Sequence, residues 1–207
     1  MVAIIDYNAG NVRSVHYALD RLGEQAVLTR DHTIIRTADK VIFPGVGEAS
    51  STMRYLHEHG LDEVIRSLTQ PVLGICLGMQ LLCEYSEEND TPCLGIIPQR
   101  VRKFKPVNGE KVPQIGWNQL YQLQSDLFTP ALERQYVYFV HSYCVDEGPY
   151  TIALTDYAGP FSSALQKDNF YAVQFHPEKS GKVGEEILRG FLTLPNHTTG
   201  HHVLGIR

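Results

Sequence analysis

Cys76 stands in the pentapeptide Gly74-Ile75-Cys76-Leu77-Gly78, between an apolar run at 72–75 and a stretch of helix-forming residues. This is the glycine-x-nucleophile-x-glycine pattern of a nucleophile elbow, in which a tight strand-to-helix turn lifts a reactive side chain out of the core. The helix N-terminus that follows offers free N–H groups, which stabilise the negative charge of a thiolate. The N–H of Leu77 is also available to a developing oxyanion. For the pentapeptide alone, the competing reading is a cysteine packed in a strand, where most free cysteines sit. Cys83 and Cys93 lack the glycine context and Cys144 lies in an alternating strand, so these three read as packing residues.

A thiol nucleophile needs a base, and His176-Pro177-Glu178 follows directly on the apolar strand 170–175. Pro177 biases His176 toward the extended conformation. In extended chain, residues i and i+2 point the same way, so Glu178 is placed to orient the imidazole and stabilise its protonated form. Taken alone the tripeptide reads as a surface turn; the elbow reverses that balance. A second oxyanion donor is expected from Pro44-Gly45-Val46-Gly47, through the backbone of Val46 or Gly47. That loop closes another apolar strand, at the end of a sheet where α/β sites collect. No Lys-Ser/Thr pair follows it, so it is not a phosphate loop.

The elements that must carry these groups alternate. Apolar runs at 2–6, 26–28, 41–43 and 72–75 read as strands. Between them, Val12, Val15, Leu19 and Leu22 recur at helical spacing, capped by Asn11 and closed by Gly23; a His- and Glu-rich helical stretch follows residue 47, and a helix is expected over 77–85. Fully apolar strands between amphipathic helices predict an open, mostly parallel sheet covered on both faces. From about Leu94 the texture changes. Segments 136–145, 151–155, 163–166 and 170–175 read as strands that extend this α/β sheet in antiparallel fashion, and 184–194 as a closing helix.

The 207 residues suit one domain with a sizeable core, 1–194, followed by a loose polar tail at 195–207 that holds His197, His201 and His202. With 43% hydrophobic and 20% charged residues, the chain is ordinary globular chemistry. A net charge of −5 and the lack of any basic tract exclude a nucleic-acid or anionic-membrane partner. No signal peptide or spanning segment is evident. Four cysteines without C-x-x-C spacing exclude a disulfide framework and a metal site, and a cytoplasmic location is expected.

Gly74 to Gln80 reads GICLGMQ, and with Phe175-His176-Pro177-Glu178 it resembles the two signatures of the class I glutamine amidotransferases. Asp6-Tyr7 with Gly10-Asn11, the PGVG loop, Gly116-Trp117-Asn118 and the run from Tyr138 to Tyr143 narrow the resemblance to the glutaminase subunits of imidazole glycerol phosphate synthases. It spans residues 2 to about 194. Three positions depart from the pattern: Asn8 in place of Gly, Glu48 where a small or apolar residue is expected, and Gln114 where His is common.

The resemblance implies that the Cys76 thiolate attacks the side-chain amide of glutamine, that His176 protonates the leaving ammonia and then activates water, and that no cofactor is needed. It implies that Gln80 and Glu88 hold the substrate's α-amino and carboxylate groups, with backbone of Gly47, Ser142 and Tyr143 in the same pocket. The adjacent Glu87 competes with Glu88 for that match. It further implies a heterodimer with a (β/α)8-barrel cyclase that consumes the ammonia, docked over Asn11, Trp117, Tyr138 and Lys179 near the catalytic mouth. Trp117, the only Trp, reads equally as an interface anchor or as a partly buried core residue. Alternatives at this stage are a sister glutaminase of the anthranilate or GMP synthase type, a stand-alone cysteine hydrolase, and a silent binding subunit, the last disfavoured by the complete triad.

Overall fold

The structure is a computed structural model and describes residues 1–7 and 12–196. In chain order its elements are β1 (Val2–Ile5), α1 (Val12–Arg21), β2 (Ala26–Thr29), α2 (His32–Thr37), β3 (Lys40–Phe43), α3 (Ala49–Glu58), α4 (Leu61–Arg66), β4 (Val72–Ile75), α5 (Leu77–Leu82), β5 (Cys83–Ser86), β6 (Thr91–Pro92) and β7 (Ile97–Lys103). Then follow β8 (Gln114–Gln119), β9 (Tyr136–His141), β10 (Tyr143–Val145), β11 (Thr151–Asp156), β12 (Pro160–Lys167), β13 (Phe170–Val173) and α6 (Gly181–Thr193).

The main sheet runs β2-β1-β3-β4-β13-β12-β10-β7-β5-β6, with β11 paired to β12. Strands β2, β1, β3, β4 and β13 are parallel, and the sheet turns antiparallel at β12. Of these, β1, β3, β4 and β13 are buried on both faces, β2 being a half-buried edge, and their side chains divide by the two-residue period of a strand. Ile4, Ile42 and Leu73 join one core with Val15 and Leu19 of α1 and Ile187, Leu188 and Phe191 of α6. Ala3, Ile5, Val41, Phe43 and Val72 join the other, with Ile35, Leu56, Ile65 and Leu81 of α2 to α5. Each fully buried side chain of this size contributes about 1.5–3 kcal/mol, so both helical layers are held to the sheet by apolar burial.

Three expectations are corrected. The helix expected over 77–85 stops at Leu82, because Cys83 turns extended and the chain enters the sheet beside β7. A helix this short has little stability of its own, so pairing with the sheet decides where it ends. The stretch 136–145 is not one strand extending the sheet. It breaks at Ser142: β10 enters the main sheet beside β7 and β12, whereas β9 leaves it and pairs with β8 as a separate antiparallel ribbon. The closing helix begins at Gly181, three residues before the expected 184. Strands β6 to β8 and helix α2 had no expectation. The Asn11 cap, the Asn8 turn and the tail from residue 197 onward lie outside the described residues.

Candidate active site

β4 and β13 lie side by side and parallel, with Ile75 opposite Val173. The next residue on β4 is Cys76, whose N–H donates to the Val173 carbonyl at 2.8 Å. The next on β13 are Gln174, Phe175 and His176. Parallel register thus delivers the thiol and the imidazole to the same end of the sheet, from sequence positions a hundred residues apart.

Cys76 adopts φ 53° and ψ −110°, a conformation that costs a residue with a Cβ about 1–3 kcal/mol. The neighbouring glycines permit it. A Cβ on Gly78 would collide with the Phe43 carbonyl, and one on Gly45 would collide with the Gly78 N and the Leu77 side chain. The PGVG loop therefore rests directly on the first turn of α5. Gly78→Ala is expected to lower stability by about 3 kcal/mol, at the upper end of overpacking costs because the opposing atoms are backbone; thermal unfolding checks it. Leu77 opens α5, so its N–H has no acceptor within the helix. Tyr7 holds the loop from beneath: its hydroxyl donates to the Pro44 carbonyl at 2.6 Å and accepts from the Val46 N–H.

His176 is extended, as Pro177 dictates, and its Nδ1 lies 2.8 Å from Glu178 Oε1. Glu178 reaches it differently from the extended i, i+2 expectation, by a 3-10 turn over Pro177–Lys179 that folds the carboxylate back onto the ring. The two side chains are only 5% and 3% exposed. Burial by itself lowers the pKa of His176; its hydrogen bonds and charge interactions with Cys76 and Glu178 outweigh that and raise it above the usual histidine value. The imidazole is thereby favoured in its protonated form beside the sulfur.

Cys76 and His176 open on a cavity of about 340 Å³. Val46, Gly47, Leu77, Gln80, Glu88, Ser142, Tyr143 and Lys179 also line it, so the candidate pocket and oxyanion positions converge on one space. Glu178 stands behind His176 and does not line it. Trp117 and Tyr138 lie outside it, on the outer face of the β8–β9 ribbon, where their rings pack edge to face at 5.8 Å. Trp117 is 56% exposed and so is not a core residue. Ile115 and Tyr136 are exposed on the same face, and Val140, also on it, reaches the cavity rim.

Of Glu87 and Glu88, only Glu88 lines the cavity. Glu87 turns away and accepts from the Lys103 N–H at 2.8 Å, whereas Glu88 accepts from the Ala49 N–H at 2.8 Å. Burial raises the Glu88 pKa. Glu48, a departure from the family pattern, caps α3 by accepting from the N–H groups of Ser50 and Ser51. The hydroxyl of Ser50 and the amide of Asn89 also bond it, holding its pKa down to about 2. Gln114, another departure, is buried, with its Oε1 2.9 Å from His141 Nε2.

Gln174 has no counterpart among the expected site residues. It is fully buried, bonded to both Cys76 and Gln80. A polar residue inside the otherwise apolar run 170–175, two before the histidine, was the available signal. His141 was likewise missed; burial holds its pKa down to about 4, and its Nδ1 lies 2.7 Å from the Tyr143 carbonyl. Among the described residues no cluster of His, Cys, Asp and Glu could hold a metal ion, and all four cysteines are unpaired.

The sequence model of the family described as "Glutamine amidotransferase class-I" matches residues 3–194. A relative from Bacteroides fragilis, "Imidazole glycerol phosphate synthase subunit HisH", is 59% identical over 194 residues, covering 93% of this chain and 99% of its own. "Imidazole glycerol phosphate synthase subunit HisH 2" of Legionella pneumophila is 49% identical over 195 residues, covering 94% and 98%. Among solved structures, one described as a glutamine amidotransferase superposes with TM-score 0.72 at 20% identity, covering 93% of this chain and 97% of that one. At such identity the superposition speaks to the fold, an open mixed sheet flanked by helices. With the family match across nearly the whole chain and relatives at this level of identity, the protein belongs to the class I glutamine amidotransferases.

Proposed function

We propose that this chain is the glutaminase subunit of an imidazole glycerol phosphate synthase, hydrolysing glutamine to glutamate and ammonia. The observation that carries the chemistry is the Cys76 elbow facing a His176–Glu178 pair at the mouth of a cavity that also holds Gln80 and Glu88. The 59% identity to a subunit named for that synthase supports the pathway.

In this reading the Cys76 sulfur attacks the amide carbon of the glutamine side chain. The Leu77 N–H, with that of Gly47, stabilises the oxyanion that develops on the carbonyl oxygen, since the Val46 N–H is taken by the Tyr7 hydroxyl. His176, held charged by Glu178, gives its proton to the departing nitrogen, and ammonia leaves a glutamyl thioester. Neutral His176 then takes a proton from water, hydroxide adds to the thioester carbon, and collapse releases glutamate and the thiolate. Glu88 and Gln80 receive the α-ammonium end of the substrate, and backbone groups of Gly47, Ser142 and Tyr143 receive its carboxylate. Glu88→Gln is expected to raise KM about 10- to 100-fold with a smaller change in kcat, the effect of removing a charge-assisted hydrogen bond; steady-state kinetics reads the split.

The ammonia is consumed by a (β/α)8-barrel cyclase docked over the catalytic mouth, in the cytoplasm. Residues 1–194 are the glutaminase domain. The docking surface takes in Trp117, Tyr138 and Lys179; Asn11, also expected there, lies outside the described residues. An exposed aromatic pair beside the cavity rim supports it, since monomers seldom leave such stripes uncovered. Trp117→Ala is expected to weaken the complex by about 2 kcal/mol or more, roughly 30-fold in Kd. Unchanged affinity in titration calorimetry would remove Trp117 from the interface.

Glutamate release is to be measured with the chain alone, with the cyclase, and with the cyclase plus its nucleotide ligand. Activity that is low alone and rises with partner and ligand is the expected result. High activity indifferent to the cyclase would keep the glutaminase and overturn the pathway.

A further inference from the structure

Gln174 is fully buried where an apolar side chain would avoid the cost of desolvating an amide. Its partners give the reason. Gln174 Nε2 donates to Cys76 Sγ at 3.6 Å, and its Oε1 accepts from Gln80 Nε2 at 3.0 Å. Gln80 Nε2 also donates to the Tyr143 carbonyl at 3.2 Å. Both hydrogens of the Gln80 amide are therefore engaged, which leaves its Oε1 as the acceptor facing the cavity. The register of β13 against β4 explains how one residue reaches both partners. Gln174 follows Val173, which lies opposite Ile75, so its side chain meets Cys76, and Gln80 lies one helical turn further along α5. A carboxamide presents a donor and an acceptor on one side chain without a charge. A carboxylate would offer only acceptors, and a cation would compete with His176 for the sulfur.

The geometry points to Gln174 as a positioning residue of the glutaminase reaction: it holds an N–H against the Cys76 sulfur and fixes the Gln80 amide with its oxygen turned to the substrate's α-ammonium group. This rests on the glutaminase reading of the site. The thiolate gains a neutral donor beside the charged imidazole, and the substrate meets an amide that cannot rotate to present its N–H face.

The test uses the full chain in complex with the cyclase, as Gln174→Met and Gln174→Glu. The pH dependence of iodoacetamide alkylation at Cys76, followed by mass spectrometry, reports the thiol. In Gln174→Met the midpoint is expected to rise by about one pH unit, and further in Gln174→Glu, where a carboxylate replaces the donor. KM for glutamine is expected to rise about tenfold in Gln174→Met. In a Gln80→Met background, Gln174→Met adds no further increase in KM, because the amide it orients is gone. A midpoint unmoved in either folded variant overturns the sulfur half of the proposal, and KM effects that simply add in the double variant overturn the Gln80 half. Gln174→Glu preserves the shape of the side chain and carries the alkylation test if Gln174→Met does not fold. Alkylation needs no glutamine, so a wild-type complex that released no glutamate would overturn the functional reading and leave this test standing.

Discussion

Cys76→Ala is expected to abolish glutamate release in the complex, by about six orders of magnitude, the loss typical when a covalent nucleophile is removed. The magnitude follows from the mechanism: without the sulfur no thioester forms, and the oxyanion donors and His176 are left to act on free water. The fold is expected to survive, because Ala keeps the backbone position and the Cβ of buried Cys76 and removes only the sulfur. The strained φ of 53° makes a second comparison informative. Cys76→Gly relieves a conformation that any Cβ makes costly, so it should be more stable than Cys76→Ala by about 1 kcal/mol, despite the entropy of glycine. Thermal unfolding of the two inactive variants side by side measures the strain held at the elbow. If the alanine variant were the more stable, the strain would have to lie elsewhere. Persistent glutamate release from either would place the nucleophile outside Cys76.

Glu178→Gln is expected to lower kcat/KM by about 10²- to 10⁴-fold, the range spanned by acid–base partners in enzymes of this type. The carboxylate is 3% exposed and 2.8 Å from the ring nitrogen, so the charge it supplies is poorly screened by water. Its loss removes one of the interactions that raise the His176 pKa, and that pKa falls. The reaction needs protonated His176 to expel ammonia, so the alkaline limb of the pH–activity profile moves to lower pH. Stability shifts with it. A histidine whose folded pKa stands above its ordinary 6.5 contributes stability that is full below that value and lost as pH rises through the folded pKa. Through this histidine, wild type and Glu178→Gln should therefore differ fully at and below pH 6.5 and converge as pH rises through the folded pKa. An alkaline limb that stays in place would mean that Glu178 orients the ring without setting its charge.

Local sequence patterns point to the candidate nucleophile and base and to the parallel half of the fold. Cys76 between glycines is a local pattern whose geometry follows from steric rules at neighbouring residues; the pairing of His176 with Glu178 was legible too, but not its route, a 3-10 turn in place of an extended step. The strands at β1, β3 and β4 are legible as well, because burial on both faces leaves an unbroken apolar run. Tertiary structure decided what depends on partners distant in the chain. α5 ends at Leu82 because β7, reached from beyond a turn, pairs with the next residues; nothing local marks that stop. The strand 136–141 leaves the main sheet because β8 offers an alternative edge, and its own alternation is the same in either sheet. Glu88 rather than Glu87 lines the cavity because the loop closes against α3, with Ser86 Oγ accepting from the Glu88 N–H and Lys103 taking Glu87. Gln174 was readable only as a polar residue in an apolar strand. Its role emerges when β13 lies in register with β4, since a hydrogen bond across 98 positions has no signature in either segment alone.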